Sequence, residues 1–185
     1  MQCINSDRVV RHVEVKAYLD SFQLLSKRVG ALACHEPKDR VQDDTFYHCG
    51  RGRLKLRSSG QQHQLIYYRR ENDYGPKESF YQTSNARNPA ALRVSLGSAF
   101  GEVGRVRKFR RSYNVGNTSV HLDKVNGLGN FIEIKTQLNQ AESFTEGAKT
   151  VESLMSALDV DLFQLVDGAY IDLICEKNGH SVAEF

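Results

Sequence analysis

Hydrophobic and polar positions alternate along most of this chain. In RHVEVKAYL (11–19), His12, Glu14 and Lys16 fall on one face and Val13, Val15 and Ala17 on the other, the period of two imposed by an extended strand. The period changes in DSFQLLSKRVGALA (20–33), where Phe22, Leu25, Val29 and Leu32 recur at spacings of three and four with Asp20 or Ser21 as N-cap, which predicts a helix. From residue 43 the alternation returns in four short segments, DTFYHC, RLKLRS, QLIYYRRE and ESFYQTS, separated by Gly50, Gly52, Ser59-Gly60 and Tyr74-Gly75-Pro76.

NPAALRVSLGSAF (88–100) predicts a second helix, with Pro89 suited to its first turn. Three further strands follow in VGRVRKFRRSYNV, TSVHLDKV and NFIEIKTQL, the first two joined through Gly116-Asn117. Beyond Gln140, AESFTEGAKTVESLMSALDV has helical spacing, and LVDGAYIDLICEK reads as a short closing helix. Eight antiparallel strands favour a closed barrel, because closure removes exposed edges. The expected class is therefore α+β, an eight-stranded antiparallel barrel accompanied by helices.

The alternation also sorts the charges. Arg53, Lys55 and Arg57 share a face, as do Glu133 with Lys135, Ser119 with His121 and Asp123, Lys77 with Ser79 and Tyr81, and Tyr67 with Arg69. Two arrangements satisfy this pattern. Either the charged faces are the solvated exterior of an oily barrel, or the apolar helix stripes cover the outer wall and the charges turn inward. The inward arrangement is costly without a bound counter-charge, so it implies an anionic ligand with metal ions.

Bulk properties narrow the setting. A chain of 185 residues fits one domain, 1–185, with a core from about 10 to 175. Hydrophobic residues at 40% and charged residues at 25% are ordinary for a globular protein and exclude the disordered and fibrous classes. The net charge of +3 is small, and the basic residues concentrate in GRGRLKLR and GRVRKFRR. Cys3, Cys34, Cys49 and Cys175 lie far apart without a CxxC, which argues against a zinc site or a disulfide scaffold and for a reduced, cytoplasmic setting. MQCINSDRVV has no apolar run of signal-peptide length, and no segment is apolar for long enough to span a bilayer.

Taken in order, VEVKAYL, QDDTFYHCGRGRLKLR, LIYYRRENDYGPKESFYQTS and VRKFRRSYNVGNTSVHLDKVNGLGNFIEIK resemble the CYTH superfamily, the triphosphate tunnel metalloenzymes. Class IV adenylate cyclases and thiamine triphosphatases belong to it, and GAYIDL is similar to the animal cyclase-like branch. The resemblance implies an eight-stranded tunnel that binds a triphosphate through lysines and arginines, with Mg²⁺ or Mn²⁺ held by carboxylates. The activity it implies is hydrolysis of inorganic tripolyphosphate, thiamine triphosphate or a nucleoside triphosphate. Class IV-type cyclisation of ATP, and a weakened triphosphate- or polyphosphate-binding protein, are the alternatives.

Carried over residue by residue, the resemblance assigns catalysis to Glu14, Lys16 and Glu133, substrate binding to Lys16, Lys55, Arg57, Arg69, Lys108 and Arg110, and metal ligation to Glu14, Asp123 and Glu133. His12, Ser119 and Lys135 depart from the pattern, which has Glu, Arg and Glu at those places. The expected partner is a small triphosphate, without a membrane or a nucleic acid, and a monomer is favoured. Regular alternation inside the basic strands is unlike a linear polynucleotide surface.

Overall fold

In the computed structural model, which describes residues 10–70 and 74–179, the alternating segments form one closed antiparallel barrel. Its strands are β1 (Val10–Tyr18), β2 (Lys38–Tyr47), β3 (Arg53–Ser59), β4 (Gln62–Arg70), β5 (Lys77–Asn85), β6 (Glu102–Val115), β7 (Thr118–Val125) and β8 (Gly129–Leu138). Around the wall they run β1-β5-β4-β3-β2-β6-β7-β8, and β1 closes onto β8. The register of that closure sets Glu14 opposite Lys135 and Lys16 opposite Glu133. Helices α1 (Phe22–Leu32), α2 (Pro89–Phe100), α3 (Phe144–Leu158) and α4 (Tyr170–Lys177) complete the fold, with a 3₁₀ turn at Leu162–Gln164.

The helices cover the outer wall because that is where the apolar stripe of each strand emerges. Val13, Val15, Val120, Leu122, Ile132 and Ile134 form one core with Phe22, Leu25 and Val29 of α1 and Val151, Met155 and Leu158 of α3. Gly147 of α3 rides against this wall, where an added Cβ would lie 2.7 Å from Val13 Cγ2 and 2.6 Å from Leu138 Cδ2. On the far side Leu96 of α2 packs on Tyr47 and Leu56. The apolar faces being taken, the opposite faces turn into the lumen; of the two arrangements open to the sequence, the inward one is observed.

Three boundaries differ from expectation, one of them the closing helix, which begins at Tyr170 and not at Leu165. β2 starts at Lys38, well before residue 43, and His48 and Cys49 fall outside it. Its first half is largely exposed and carries no amphipathic signal. It is a strand because β6 is long enough to pair with it, from Lys38 opposite Ser112 onward, and Arg111 grips Asp39 through two hydrogen bonds of 2.8 and 2.7 Å. The helix expected over 141–160 is shorter, running from Phe144 under a capping box of Ser143 and Glu146. The last residue of QLIYYRRE, Glu71, lies outside the described residues.

The loop after α3 and the start of α4 close one end of the barrel. Leu165 bridges Ala17, and Val166 donates its backbone N–H to Lys16 O at 2.9 Å. Three inward cations finish on this plug: Lys16 Nζ on Gly168 O at 2.9 Å, Lys77 Nζ on Asp167 O at 2.7 Å and Arg53 Nη2 on Asp172 Oδ2 at 2.6 Å. Asp172 also accepts from Ala169 N at 2.7 Å, so one buried carboxylate both caps α4 and ties it to β3. The lumen is a cup with one closed end.

Candidate functional site

A barrel strand contributes every second side chain to its interior. The parity here gives Lys16 from β1, Asp44 and Phe46 from β2, Lys55 and Arg57 from β3, Tyr68 and Arg70 from β4, Tyr81 from β5, Lys108 and Arg110 from β6, and Glu133 and Lys135 from β8. Together with Tyr170 of the plug they line a cavity of about 550 Å³, within the usual range of small-molecule sites. A second lobe of about 430 Å³ continues along β2, β6 and β7, where Lys38, Arg40 and His121 join Arg57, Arg110 and Lys135. Seven cations line the main cavity, Lys16, Lys55, Arg57, Arg70, Lys108, Arg110 and Lys135, against two carboxylates, Asp44 and Glu133.

Of the residues expected from the sequence, Lys16, Lys55, Arg57, Lys108, Arg110 and Glu133 meet in this cavity. Glu14 and Asp123 share the inward face but are buried behind the lining at 1% and 0% exposure. Arg69 is the correction. The inward face of β4 carries Gln64, Ile66, Tyr68 and Arg70, whereas Arg69 is exposed on the outer wall. Both arginines end the same strand, and a step of one residue exchanges lumen for solvent. Arg70 takes the interior place, its Nη1 2.6 Å from Glu14 Oε1. Arg70, and not Arg69, is therefore the arginine of β4 that meets whatever enters the cavity.

Asp44 was not singled out from the sequence and is a principal anchor. It is buried at 1% exposure and accepts from Lys55 Nζ at 3.0 Å and from Arg57 Nε and Nη2 at 2.7 Å each. Its signal was available: with β2 in place, Gln42, Asp44 and Phe46 alternate inward. Gly52, at the entry to β3, has φ +77° and leaves no room for a side chain, since an added Cβ would sit 2.6 Å from Tyr68 O.

The other carboxylates are equally engaged. Glu14 accepts from Arg70, from Ser79 Oγ at 3.0 Å and from Tyr81 Oη at 3.0 Å, and Lys135 Nζ stands 3.5 Å away. Arg110 clamps Asp123 with Nε–Oδ1 2.7 Å and Nη2–Oδ2 2.6 Å, Tyr170 Oη donates to Oδ2 at 2.8 Å, and the same Arg110 Nη2 reaches Glu133 Oε2 at 2.7 Å. Burial alone would raise these acids. Lys135 and Arg70 outweigh it at Glu14, and Arg110 and Lys108 outweigh it at Asp123, holding each near 2. Glu133 is held well below the carboxylate range, burial being overcome by Arg110 and Lys16.

The cations pay the opposite cost. Burial, with Arg57 beside it, lowers Lys55 to about 7, and burial with Arg110 lowers Lys108 to about 8. Lys16 is depressed well below its ordinary value by burial and then by Arg70. The rings of the cavity help to hold these charges. Lys55 lies 5.3 Å from the Phe46 and Tyr68 centroids, Lys16 and Lys108 lie 4.1 and 4.8 Å from that of Tyr170, and Lys135 lies 3.3 Å from that of Tyr81. His12 is lowered to about 4 by burial and Lys135, its Nδ1 lacks a hydrogen-bond partner, and its ring meets Tyr81 edge-on. His121, lowered to about 3 by burial and Arg110, bonds through Nδ1 with Ser112 Oγ at 3.0 Å.

Glu14, Asp123 and Glu133 do not fit the divalent-ion site expected of them. A hard ion needs several oxygen ligands facing one point. Among the described residues no group of three or more His, Cys, Asp or Glu side chains is placed to hold a metal. Five of their six oxygens already accept from Arg70, Arg110, Ser79, Tyr81 and Tyr170, which leaves Glu133 Oε1 alone facing the cavity without such a donor.

Fold and site together define a class of protein, the closed antiparallel barrel with a cation-rich cavity inside it. The chain belongs to the CYTH domain family, whose model matches residues 11–170. The fold is shared with the PH1012 protein of Pyrococcus horikoshii at 20% identity and a TM-score of 0.78, over 88% of this chain and 98% of that one. It is also shared with an adenylate cyclase candidate from Vibrio parahaemolyticus at 16% identity and 0.73, over 88% and 97%. A third structure of this fold is HpAC1 from Hippeastrum, an adenylyl cyclase candidate described with a dominant triphosphatase activity, at 15% identity and 0.63, over 92% and 97%. No curated protein matches the sequence. Among the described residues no helix is long and apolar enough to cross a membrane.

Proposed function

We propose that the barrel captures a linear triphosphate, inorganic or at the end of a small molecule, and hydrolyses one of its phosphoanhydride bonds. The observation that carries this reading is the convergence of Lys55, Arg57, Lys108, Arg110 and Lys135 on one cavity. Membership of the CYTH family, and the triphosphatase activity named for the Hippeastrum protein, support it.

Attack of water on a phosphoryl group in line with its leaving oxygen requires positioning and neutralisation of spread negative charge, and little covalent chemistry from the protein. Fixed ammonium and guanidinium groups in a water-poor cup supply both. Glu133 is the carboxylate of the lining with the most open surroundings, one guanidinium contact from Arg110, and is the group placed to orient a water. Each aromatic ring of the lining, Phe46, Tyr68, Tyr81 and Tyr170, already carries a cation within 5.3 Å of its centroid. Stacking of a nucleobase would compete with those cations, which favours an inorganic chain over ATP and over ATP cyclisation.

Purified protein should release phosphate from tripolyphosphate, and less readily from thiamine triphosphate and ATP, in parallel reactions with Mg²⁺, Mn²⁺ and chelator. Absence of release from all three, under every condition, defeats the hydrolytic reading. Capture without turnover is the second reading, favoured by the engagement of every interior carboxylate with a cation. Saturable tripolyphosphate binding without phosphate release would establish it.

A further inference from the structure

We propose that this barrel binds its polyanion free of divalent metal, with Lys135, held beside Glu14, supplying the positive charge that a metal ion would otherwise bring. The proposal rests on the reading of the lumen as a polyanion site and goes beyond it by naming the ionic form of the ligand.

Three observations carry it. The first is register: across the β1–β8 seam Glu14 faces Lys135 and Lys16 faces Glu133, so the ladder itself builds two opposed acid–base pairs. The second is occupancy. Lys135 Nζ lies 3.5 Å from Glu14 Oε2 and 3.3 Å from the Tyr81 centroid, fixed between an acid and a ring while still lining the cavity. A divalent ion placed near Glu14 and Glu133 would meet this ammonium and the Arg110 guanidinium at short range, with one uncommitted carboxylate oxygen, Glu133 Oε1, to repay its dehydration.

The third is continuity. Lys135 lines both lobes of the lumen together with Arg57 and Arg110, so an anionic chain passing from one lobe to the other is bracketed by three protein cations. A magnesium-complexed triphosphate presents less negative charge to those cations than the free anion does, and it binds less tightly.

Calorimetry with inorganic tripolyphosphate at constant ionic strength tests the proposal on the intact chain. In chelator the expected result is saturable binding. Magnesium in excess over the anion should weaken it about tenfold or more, the factor expected when part of the ligand's charge is neutralised. Lys135→Gln, close in length and uncharged, should weaken binding in chelator about tenfold, with melting temperature read alongside to show that the barrel remains folded. Lys135→Glu should weaken it further and make magnesium favourable, because a new carboxylate would then stand beside Glu14.

Binding that appears only with Mg²⁺ or Mn²⁺ overturns the proposal and leaves the polyanion site standing. Binding in neither condition removes the polyanion site, and the proposal with it. Unchanged affinity of folded Lys135→Gln in chelator overturns the role given to Lys135.

Discussion

Arg110→Ala should lower stability by about 3–5 kcal/mol and weaken tripolyphosphate binding by about 100-fold or more. One guanidinium serves three tasks at this position. It clamps both oxygens of Asp123, which is fully buried, it reaches Glu133, and it lines both lobes of the cavity. Removing it leaves the buried Asp123 and the half-buried Glu133 short of their principal cation, and the loss of a partner from a buried pair costs far more than the pair contributes relative to an apolar substitute. Lys108, at 3.7 Å from Asp123, and the Tyr170 hydroxyl make up only part of the loss. Urea unfolding should show a midpoint lowered by more than about 1 M.

Arg110→Lys keeps the charge without the fork and should recover part of both losses. Arg110→Met combined with Asp123→Leu separates the two roles. With both partners of the pair replaced by apolar groups, the part of the stability owed to Asp123 should return, the part owed to Glu133 should not, and binding remains lost. Wild-type affinity in a folded Arg110→Ala variant would remove this arginine from the site.

The fold was legible because the physics that forms a barrel is written locally. A period of two marks strands, the three-and-four spacing marks helices, and apolar stripes on the helices require an outer wall to cover. Lys16, Lys55, Arg57, Lys108, Arg110 and Glu133 followed from strand parity and family resemblance, and all six meet in the cavity. Arg69 was misplaced because YYRR offers two adjacent arginines, and only the pairing of Tyr68 with Tyr81 and Arg70 with Ser79 decides which one faces inward.

Asp44 was missed because the early part of β2 is polar on both faces, so that its strand character, and hence its parity, comes from pairing with β6. The plug was legible only as a helix. That Asp172 would leave the helix surface to bind Arg53, and that Tyr170 would reach Asp123, depends on where the chain crosses the barrel end. The surroundings of the acids were hidden for a similar reason: Glu14, Asp123 and Glu133 can be read from sequence as ligands, but the cations that pair with them come from β4, β6 and β8 and meet them only in three dimensions.

Tripolyphosphate affinity should fall on the order of 100-fold between pH 7 and pH 9, and binding should take up protons throughout that interval. The empty cup carries Lys55 at about 7 and Lys108 at about 8, each depressed first by burial and then by a neighbouring arginine, Arg57 and Arg110 respectively. An ammonium whose value is lowered in the empty state is charged below that value and neutral above it. A phosphate chain beside these amines favours the charged form, so the bound state holds protons that the empty state has released. Well below pH 7 both lysines are protonated and their uptake shrinks; by pH 9 both must be recharged, and these two amines alone take up close to two protons per anion. The ligand titrates here as well, because the second of its two terminal phosphates gives up its last proton from a chain already heavily charged, so the anion's own titration is recorded separately and subtracted from the uptake. Calorimetry in buffers of different ionisation enthalpy reads the uptake directly. Lys55→Arg, which stays charged at all these values, should flatten part of the slope while preserving the bond to Asp44. A pH-independent affinity from 7 to 9, with no proton uptake, would mean that these two amines do not meet the bound anion.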